Sequence, residues 1–390
     1  MYGVKKKYGC ATRAARQRLI FMRILLTSDL HLGIDERSSA VPGHARINTF
    51  KKICAIASEH DLLLVAGDLF HDGGDKSSLL AAADTVSREF SALRRKGVDI
   101  LYTPGECDRS LLGEDGPAPT GCFTHIFPSG GGSGISITRG DESVSVYGAT
   151  DPRGMTAIRS EENGGFHMAL LHADFCAGEQ ERKPDVPSLG RDDIRSLNMD
   201  FYALGHNHNF RIFKSRNRVI GAYPGSPEAV GPNETGERYV LSITTENGEI
   251  IQIKRLAVNS ITVERISIAC ANIGSSREIA DIVERKASPR TAITVVLTGE
   301  RAFPLDLDAI MEHARGFERL DIVDQSSPDL NLLAREYAGE NSFRGAFFER
   351  MREMIEAGEL PADIDRMLLG RMLGRMAQAE AHGSEDWHCV

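Results

Sequence analysis

The chain has 390 residues, 41% of them apolar and 26% charged, which is the make-up of a soluble globular protein long enough for two or three domains. Its net charge of -9 excludes a generally basic nucleic-acid coat and leaves only local basic patches for that purpose. No apolar run approaches the ~20 residues of a membrane helix. The seven cysteines, scattered and without a Cys-x-x-Cys pair, point to a reducing, cytoplasmic setting and away from a zinc ribbon.

Residues 1–21 are rich in Lys and Arg and contain no acidic residue. They are expected to be a disordered extension, with Met22 directly before the first strand. From Met22 to Thr103 strand and helix alternate. A strand over 22–28 precedes a helix from about Arg46, in which Ile47, Phe50, Ile53, Cys54 and Ala57 recur at helical spacing. Leu62 to Val65 reads as a fully buried strand, Ser77 to Lys96 as a helix ended by Gly97, and Val98 to Tyr102 as a third strand. This order implies parallel strands whose ligands gather beyond their C-terminal ends.

The middle of the chain changes character. Pro128 to Gly134 reads as a flexible loop, followed by strands at 143–147, 168–171, 201–204, 211–213, 219–222, 238–244 and 250–256. Asn247-Gly248 is a hairpin signal between the last two. From about Ser260 a strand over 262–268, a helix over 276–286, a strand over 292–298 and a helix over 306–315 form a small α+β unit. After Pro328 the chain is helical and Met-rich, divided at Pro361. Phe343, Phe347, Phe348 and Met351 lie before that break, and Met367, Leu368 and Met372 after it.

Every early strand ends in a loop carrying acidic residues or histidine. These are Asp29-Leu30-His31, Gly67-Asp68-Leu69-Phe70-His71, Gly105-Glu106-Cys107-Asp108, His172 and Gly205-His206-Asn207-His208. One histidine after a strand is usually a surface or capping residue. Five of the chain's twelve histidines on loops at one fold edge is a ligand set. Aspartate and imidazole without thiolates suit divalent Mn, Fe or Zn, and a shared carboxylate would place two ions close together.

In order and spacing, Asp29-x-His31, Gly67-Asp68, Gly105-x-x-Asp108, His172 and Gly205-His206-x-His208 resemble the five motifs of the calcineurin-like metallophosphoesterases. Thr27 to Gly33, Gly67 to Asp72 and Ala222-Tyr-Pro-Gly-Ser-Pro227 look like the SbcD-type nuclease subunit of double-strand-break repair. The resemblance implies an α/β fold of two packed mixed β-sheets flanked by helices, in four layers, over 22–258. A small α+β capping domain (259–336) and a helical C-terminal tail (337–390) would follow. It makes Asp29, His31 and His208 ligands of one ion and His172, His206 and Glu106 ligands of a second, with Asp68 bridging. The two divalent ions would be Mn²⁺, with Fe or Zn as alternatives.

His71 would assist exonuclease action near the metals. Expected partners are DNA ends, an SbcC-type coiled-coil ATPase gripped by the tail, and a second copy in a homodimer, with no membrane. The family reads Gly-Asn-His-Asp where this chain reads Gly105-Glu106-Cys107-Asp108. Cys107 replaces a histidine that helps the leaving oxygen depart, and a neutral thiol is a poor substitute. Alternative readings are therefore a catalytically degenerate metal-binding assembly or DNA-binding subunit, and a phosphatase or phosphodiesterase for small substrates. The basic stretch Arg211, Lys214, Arg216 and Arg218 could meet a phosphate backbone.

Overall fold

A computed structural model describes residues 21–35, 39–73, 75–112, 116–128, 133–150, 165–176, 187–329, 332, 341 and 343–359. The basic extension and the helix expected beyond Pro361 lie outside the described residues. Two six-stranded mixed sheets, packed face to face, dominate. The first contains β1 (Met22–Thr27), β2 (Leu62–Ala66), β3 (Asp99–Thr103), β4 (His125–Ile126), β13 (Tyr239–Glu246) and β14 (Glu249–Ala257), in the order β14-β13-β1-β2-β3-β4. The second contains β5 (Ser133–Arg139), β6 (Glu142–Ala149), β7 (Phe166–His172), β10 (Phe201–Gly205), β11 (Arg211–Ser215) and β12 (Arg218–Tyr223), in the order β11-β12-β10-β7-β6-β5. Helices α1 (Gly43–Ala57) and α2 (Lys76–Arg95) cover the outer face of the first sheet. Helix α3 (Arg191–Leu197) and the pair β8 (Asp174–Cys176) and β9 (Ser188–Gly190) lie on the outer side of the second.

The apolar runs follow from this layering. In β2, Leu62, Leu64 and Ala66 enter the core between the sheets, while Leu63 and Val65 pack under the helices. A strand buried on both faces needs no polar alternation. The side chain of Asp75 accepts hydrogen bonds from Ser77 N and Ser78 N at the start of α2, and Gly97 beyond its end has φ +86°. Asn247 (φ +52°) and Gly248 (φ +74°) are both left-handed, the turn that Asn-Gly favours in a two-residue hairpin.

The third unit is a parallel sheet of β15 (Thr262–Ala269), β16 (Thr291–Arg301) and β17 (Arg319–Pro328), with α4 (Ser276–Glu284) and α5 (Leu307–His313) as crossovers. β17, like β8, β9 and α3, adds to the sequence reading. The segment read as a loop to Gly134 also becomes strand earlier, because β5 begins at Ser133 and pairs with β6 through Arg139. Of the tail, α6 (Phe343–Ala357) is described; Phe348 and Met351 are buried and Phe347 is exposed.

A buried polar cluster joins the third unit to α1. Glu228 Oε1 accepts hydrogen bonds from Ser260 N (2.7 Å), Ile261 N (3.0 Å) and Thr49 Oγ1 (3.2 Å). Arg46 donates to the Ala229 carbonyl at 2.5 Å. Burial pushes the Glu228 carboxyl from 4.5 up to about 7, against the pull of those amides and of Arg46. Between these two values the folded chain holds a proton that the unfolded chain has released. Stability therefore falls as pH rises through that window, by at most about 3 kcal/mol. Glu228→Gln keeps an oxygen for both amides and should flatten this fall. Urea midpoints near the two ends of the window will check it, and a wild-type fall no steeper than the variant's would refute the shift.

Candidate metal centre

The site is built where β1, β2, β3, β7 and β10 all end. Beyond β1 and β2 the backbone stays paired: Asp29 N donates to Gly67 O (3.0 Å), His31 N to Asp68 O (2.9 Å), Leu32 N to Leu69 O (3.0 Å) and His71 N to Leu32 O (3.0 Å). Leu30, Leu32, Leu69 and Phe70 sink into the helix-side core. Their anchoring leaves Asp29, His31 and Asp68 to turn the other way, towards the centre. Asp29, His31, Asp68 and His206 all have left-handed φ, of 52°, 46°, 46° and 89°. Each such non-glycine conformation costs roughly 1 kcal/mol or more and persists where surrounding structure enforces it.

Two glycines make room. A Cβ at Gly67, whose φ is +81°, would lie 2.0 Å from His172 Nδ1, and one at Gly105 would lie 2.0 Å from Asp68 Oδ1. Asp108 ties the loops together without facing the centre. Its oxygens accept hydrogen bonds from Phe70 N (2.8 Å), Gly105 N (2.9 Å) and Leu69 N (3.2 Å).

Two sets of donor atoms result. Asp29, His31 and His208 converge on one side, with the two Nε2 atoms 3.2 Å apart; Glu106, His172 and His206 converge on the other. Asp68 stands between them, its Oδ2 3.7 Å from His31 Nε2 and 3.5 Å from His172 Nε2. All seven ligands expected from the sequence are thus brought together. The two remaining candidates are beside them: His71 Nδ1 is 3.2 Å from His31 Nδ1, and Cys107 groups with both histidines.

The ring tautomers suit cations. His172 Nδ1 lies 2.9 Å from the Ala66 carbonyl, an oxygen that can only accept, so that nitrogen carries the proton. Nε2 is then the position left for a second proton or an ion, and it faces carboxylates: Glu106 Oε2 is 2.9 Å away, at an angle that makes no hydrogen bond. A bare lone pair facing carboxylate oxygens would be repulsive, so this nitrogen calls for positive charge, either a proton or a divalent ion in its place. His208 repeats the pattern, its Nδ1 2.8 Å from Glu234 Oε1. A carboxylate behind a ligating imidazole fixes its tautomer and raises its basicity. The residues present therefore fit divalent ions with nitrogen and oxygen ligands.

The electrostatics reflect crowded charge. Burial pushes Asp29 up and drives His31 down to about 3. Burial alone would lower His172, but the negative charge of Asp68, Glu106 and Asp29 around it favours the protonated ring and raises it well above its ordinary value, so a divalent ion at Nε2 would displace a proton. Burial would likewise raise Glu106, but His172 and His206 hold it well below the usual carboxylate range. Burial, with Asp68 beside it, pushes the Cys107 thiol far up, so it is a neutral S–H in this setting.

Several contributing residues escaped the sequence reading. Glu234 orients His208 and is itself held by Ser226 Oγ (2.6 Å), Val230 N (3.1 Å) and Arg238 Nη2 (3.2 Å). Asp174 Oδ2 lies 3.7 Å from His206 Nε2. Asp174 was legible as the residue two after His172; Glu234, 26 residues from His208, carried no signal.

Residues 22–210 match the calcineurin-like phosphoesterase family. The chain is 28% identical over 240 residues to the uncharacterized metallophosphoesterase YhaO of Bacillus subtilis, covering 57% of each protein. It is 38% identical over 88 residues to the double-strand break repair protein MRE11 of Coprinopsis cinerea (22% of this chain, 12% of the relative). To MRE11 of Rattus norvegicus it is 22% identical over 299 residues (61% and 41%). The chain thus spans little more than half the length of YhaO and less of the MRE11 proteins. Among solved structures, TT1561 of Thermus thermophilus aligns with a TM-score of 0.34 at 11% identity, over 62% of this chain and all of that one.

The two donor sets predict separable ion binding. Glu106→Ala should lose one of two Mn²⁺ equivalents and Asp68→Ala should impair both. Glu234→Ala should weaken one site by about 10- to 100-fold. Calorimetric titration of the metal-stripped chain will read these stoichiometries; full double occupancy in Glu106→Ala would remove Glu106 from the ligand set.

Proposed function

We infer, from a chain whose residues 22–210 are a calcineurin-like phosphoesterase domain, that it hydrolyses phosphodiesters with two divalent ions, Mn²⁺ above Fe or Zn. We place its substrate at DNA ends, as the nuclease subunit of a repair complex. The observation that carries the hydrolase reading is Asp68 Oδ2 between His31 and His172, with the unpaired Nε2 of His172 facing the same space. Support for DNA comes from two relatives named as double-strand break repair proteins. When bound, the ions would polarise the phosphate and lower the pKa of a water towards neutrality.

The chain's own residues divide the remaining work. Asp29, His31 and His208 would hold one ion, Glu106, His172 and His206 the other, and Asp68 both. His71 is half-buried beside His31 and can donate a hydrogen bond to a phosphate oxygen or a proton to the departing one. Cys107, a neutral thiol, adds only a weak donor. Among the described cysteines, Cys54, Cys107, Cys122 and Cys270 are free thiols, in keeping with a cytoplasmic setting. The tail, with the exposed Phe347 of α6, is the proposed grip on an SbcC-type coiled-coil ATPase, and a homodimer the proposed assembly.

A second reading, a metal-binding but catalytically degenerate subunit, is favoured by one specific pair of residues. Glu106 is engaged by both His172 (2.9 Å) and His206 (2.8 Å), and Cys107 offers no imidazole for the leaving oxygen. The Mn²⁺-loaded chain should degrade linear duplex DNA slowly, and Cys107→His should accelerate it by roughly 10²- to 10⁴-fold. Nucleotide release measured beside metal content decides. Equal rates would show that Cys107 does not limit the reaction, and no release by either protein at full occupancy would overturn the hydrolase reading.

A further inference from the structure

A cavity of about 430 Å³ lies between α3 and β11, a volume typical of ligand sites. Phe175 and Phe213 line it, together with four cations: Arg191, Arg195, Arg211 and Lys214. Arg191 and Arg195 are four residues apart on α3 and so share a helix face. Arg211 and Lys214 come from β11, the edge strand of the second sheet. Among the described residues Arg191, Arg211 and Lys214 have no carboxylate partner. Arg195 pairs with Asp192 at 3.0 Å, but both side chains are largely exposed, and such a pair holds the cation weakly. The Arg211 guanidinium sits 5.3 Å from the centroid of the Phe213 ring.

Tyr223, paired in register with Arg211, ties the wall of the cavity to the loop of the metal centre. The Tyr223 hydroxyl donates to the Ala173 carbonyl and accepts from Phe175 N, both at 2.7 Å. Those two residues flank Asp174, whose carboxylate lies 3.7 Å from His206. From that end β11 runs away from the centre, so Lys214 stands about 10 Å beyond Arg211. A row of cations that have no carboxylate partner among the described residues, starting beside a phosphoesterase centre and bordered by aromatic rings, matches a chain of phosphates carrying bases.

We propose that this groove holds a single strand of nucleic acid that continues into or out of the metal centre, with phosphates on Arg191, Arg211 and Lys214 and a base against the Phe175–Phe213 wall. This rests on the phosphodiesterase reading above. An acidic peptide would satisfy the charges, but nothing would require it to begin at the loop bearing His172.

The test uses the full chain in EDTA, which prevents turnover, and reads anisotropy of a fluorescein-labelled single-stranded oligonucleotide across a KCl series. Replacing Arg191, Arg211 and Lys214 together by Ala should weaken binding and flatten the plot of log K against log[KCl] by about 2, from about 0.7 per phosphate. Arg211→Lys alone should keep the wild-type slope, and melting temperature reports that each variant is folded. An unchanged affinity and slope in the triple variant overturns the groove, as does polyglutamate binding as tightly as the oligonucleotide. A wild-type chain that cleaves DNA with Mn²⁺ but binds none in EDTA overturns the groove and leaves the hydrolase reading standing. Groove-dependent binding without any cleavage supports the groove and counts against that reading.

Discussion

Two buried carboxylates, Asp29 and Asp68, set the terms for everything around them. Neither has more than 2% of its surface exposed, and such groups are costly to bury unless charge or hydrogen bonds offset them. Ser28 Oγ at 2.5 Å and His206 N at 3.0 Å serve Asp29, and Cys107 N at 3.0 Å serves Asp68. These neutral donors are too few for two adjacent anions. The remaining compensation must come from positive charge in the space where Asp68 Oδ2 and His172 Nε2 face each other. The left-handed backbone at Asp29, His31, Asp68 and His206 is the structural cost of aiming three strand ends at that space.

That arrangement explains why the site could be read so fully from sequence while its support could not. Each ligand follows directly on a strand, and strands are marked by runs such as Leu62-Leu63-Leu64-Val65 that only a doubly covered sheet accommodates. Once five such ends carry acidic residues or histidine, their convergence follows from parallel topology. Orienting contacts have no such regularity. Glu234 reaches His208 because Ser226, Val230 and Arg238 fold a loop around its carboxylate, and this depends on packing rather than on local pattern. The same reasoning covers the elements that sequence passed over: β8 and β9 have three residues each, and β5 opens on Ser-Gly, weak strand formers that pairing with β6 outweighs.

The substitution at 106–107 acquires a physical meaning from this charge balance. Glu106 adds a third carboxylate to a centre that already lacks compensation, with its oxygens 2.9 Å from His172 Nε2 and 2.8 Å from His206 Nδ1. Cation affinity should rise while each cation's pull on a water or phosphate weakens, because the added anion offsets it. Cys107 meanwhile stays protonated beside Asp68, so the thiolate that a soft ion would choose does not form in the ion-free centre.

If the ions act more weakly, substrate positioning carries more of the rate, because holding a phosphate in line with its attacker contributes independently of metal acidity. The residues available for that lie on two flanks: His71 beside His31, and the row of cations that begins at Arg211. A chain with a net charge of -9 would repel a polyanion in general, so the position of those few positive groups, more than their number, decides where a phosphate chain can approach. Their row begins with Arg211 at the end of the second sheet where His172 and His206 emerge, and the acidic centre and the basic row are thus placed by the same sheet.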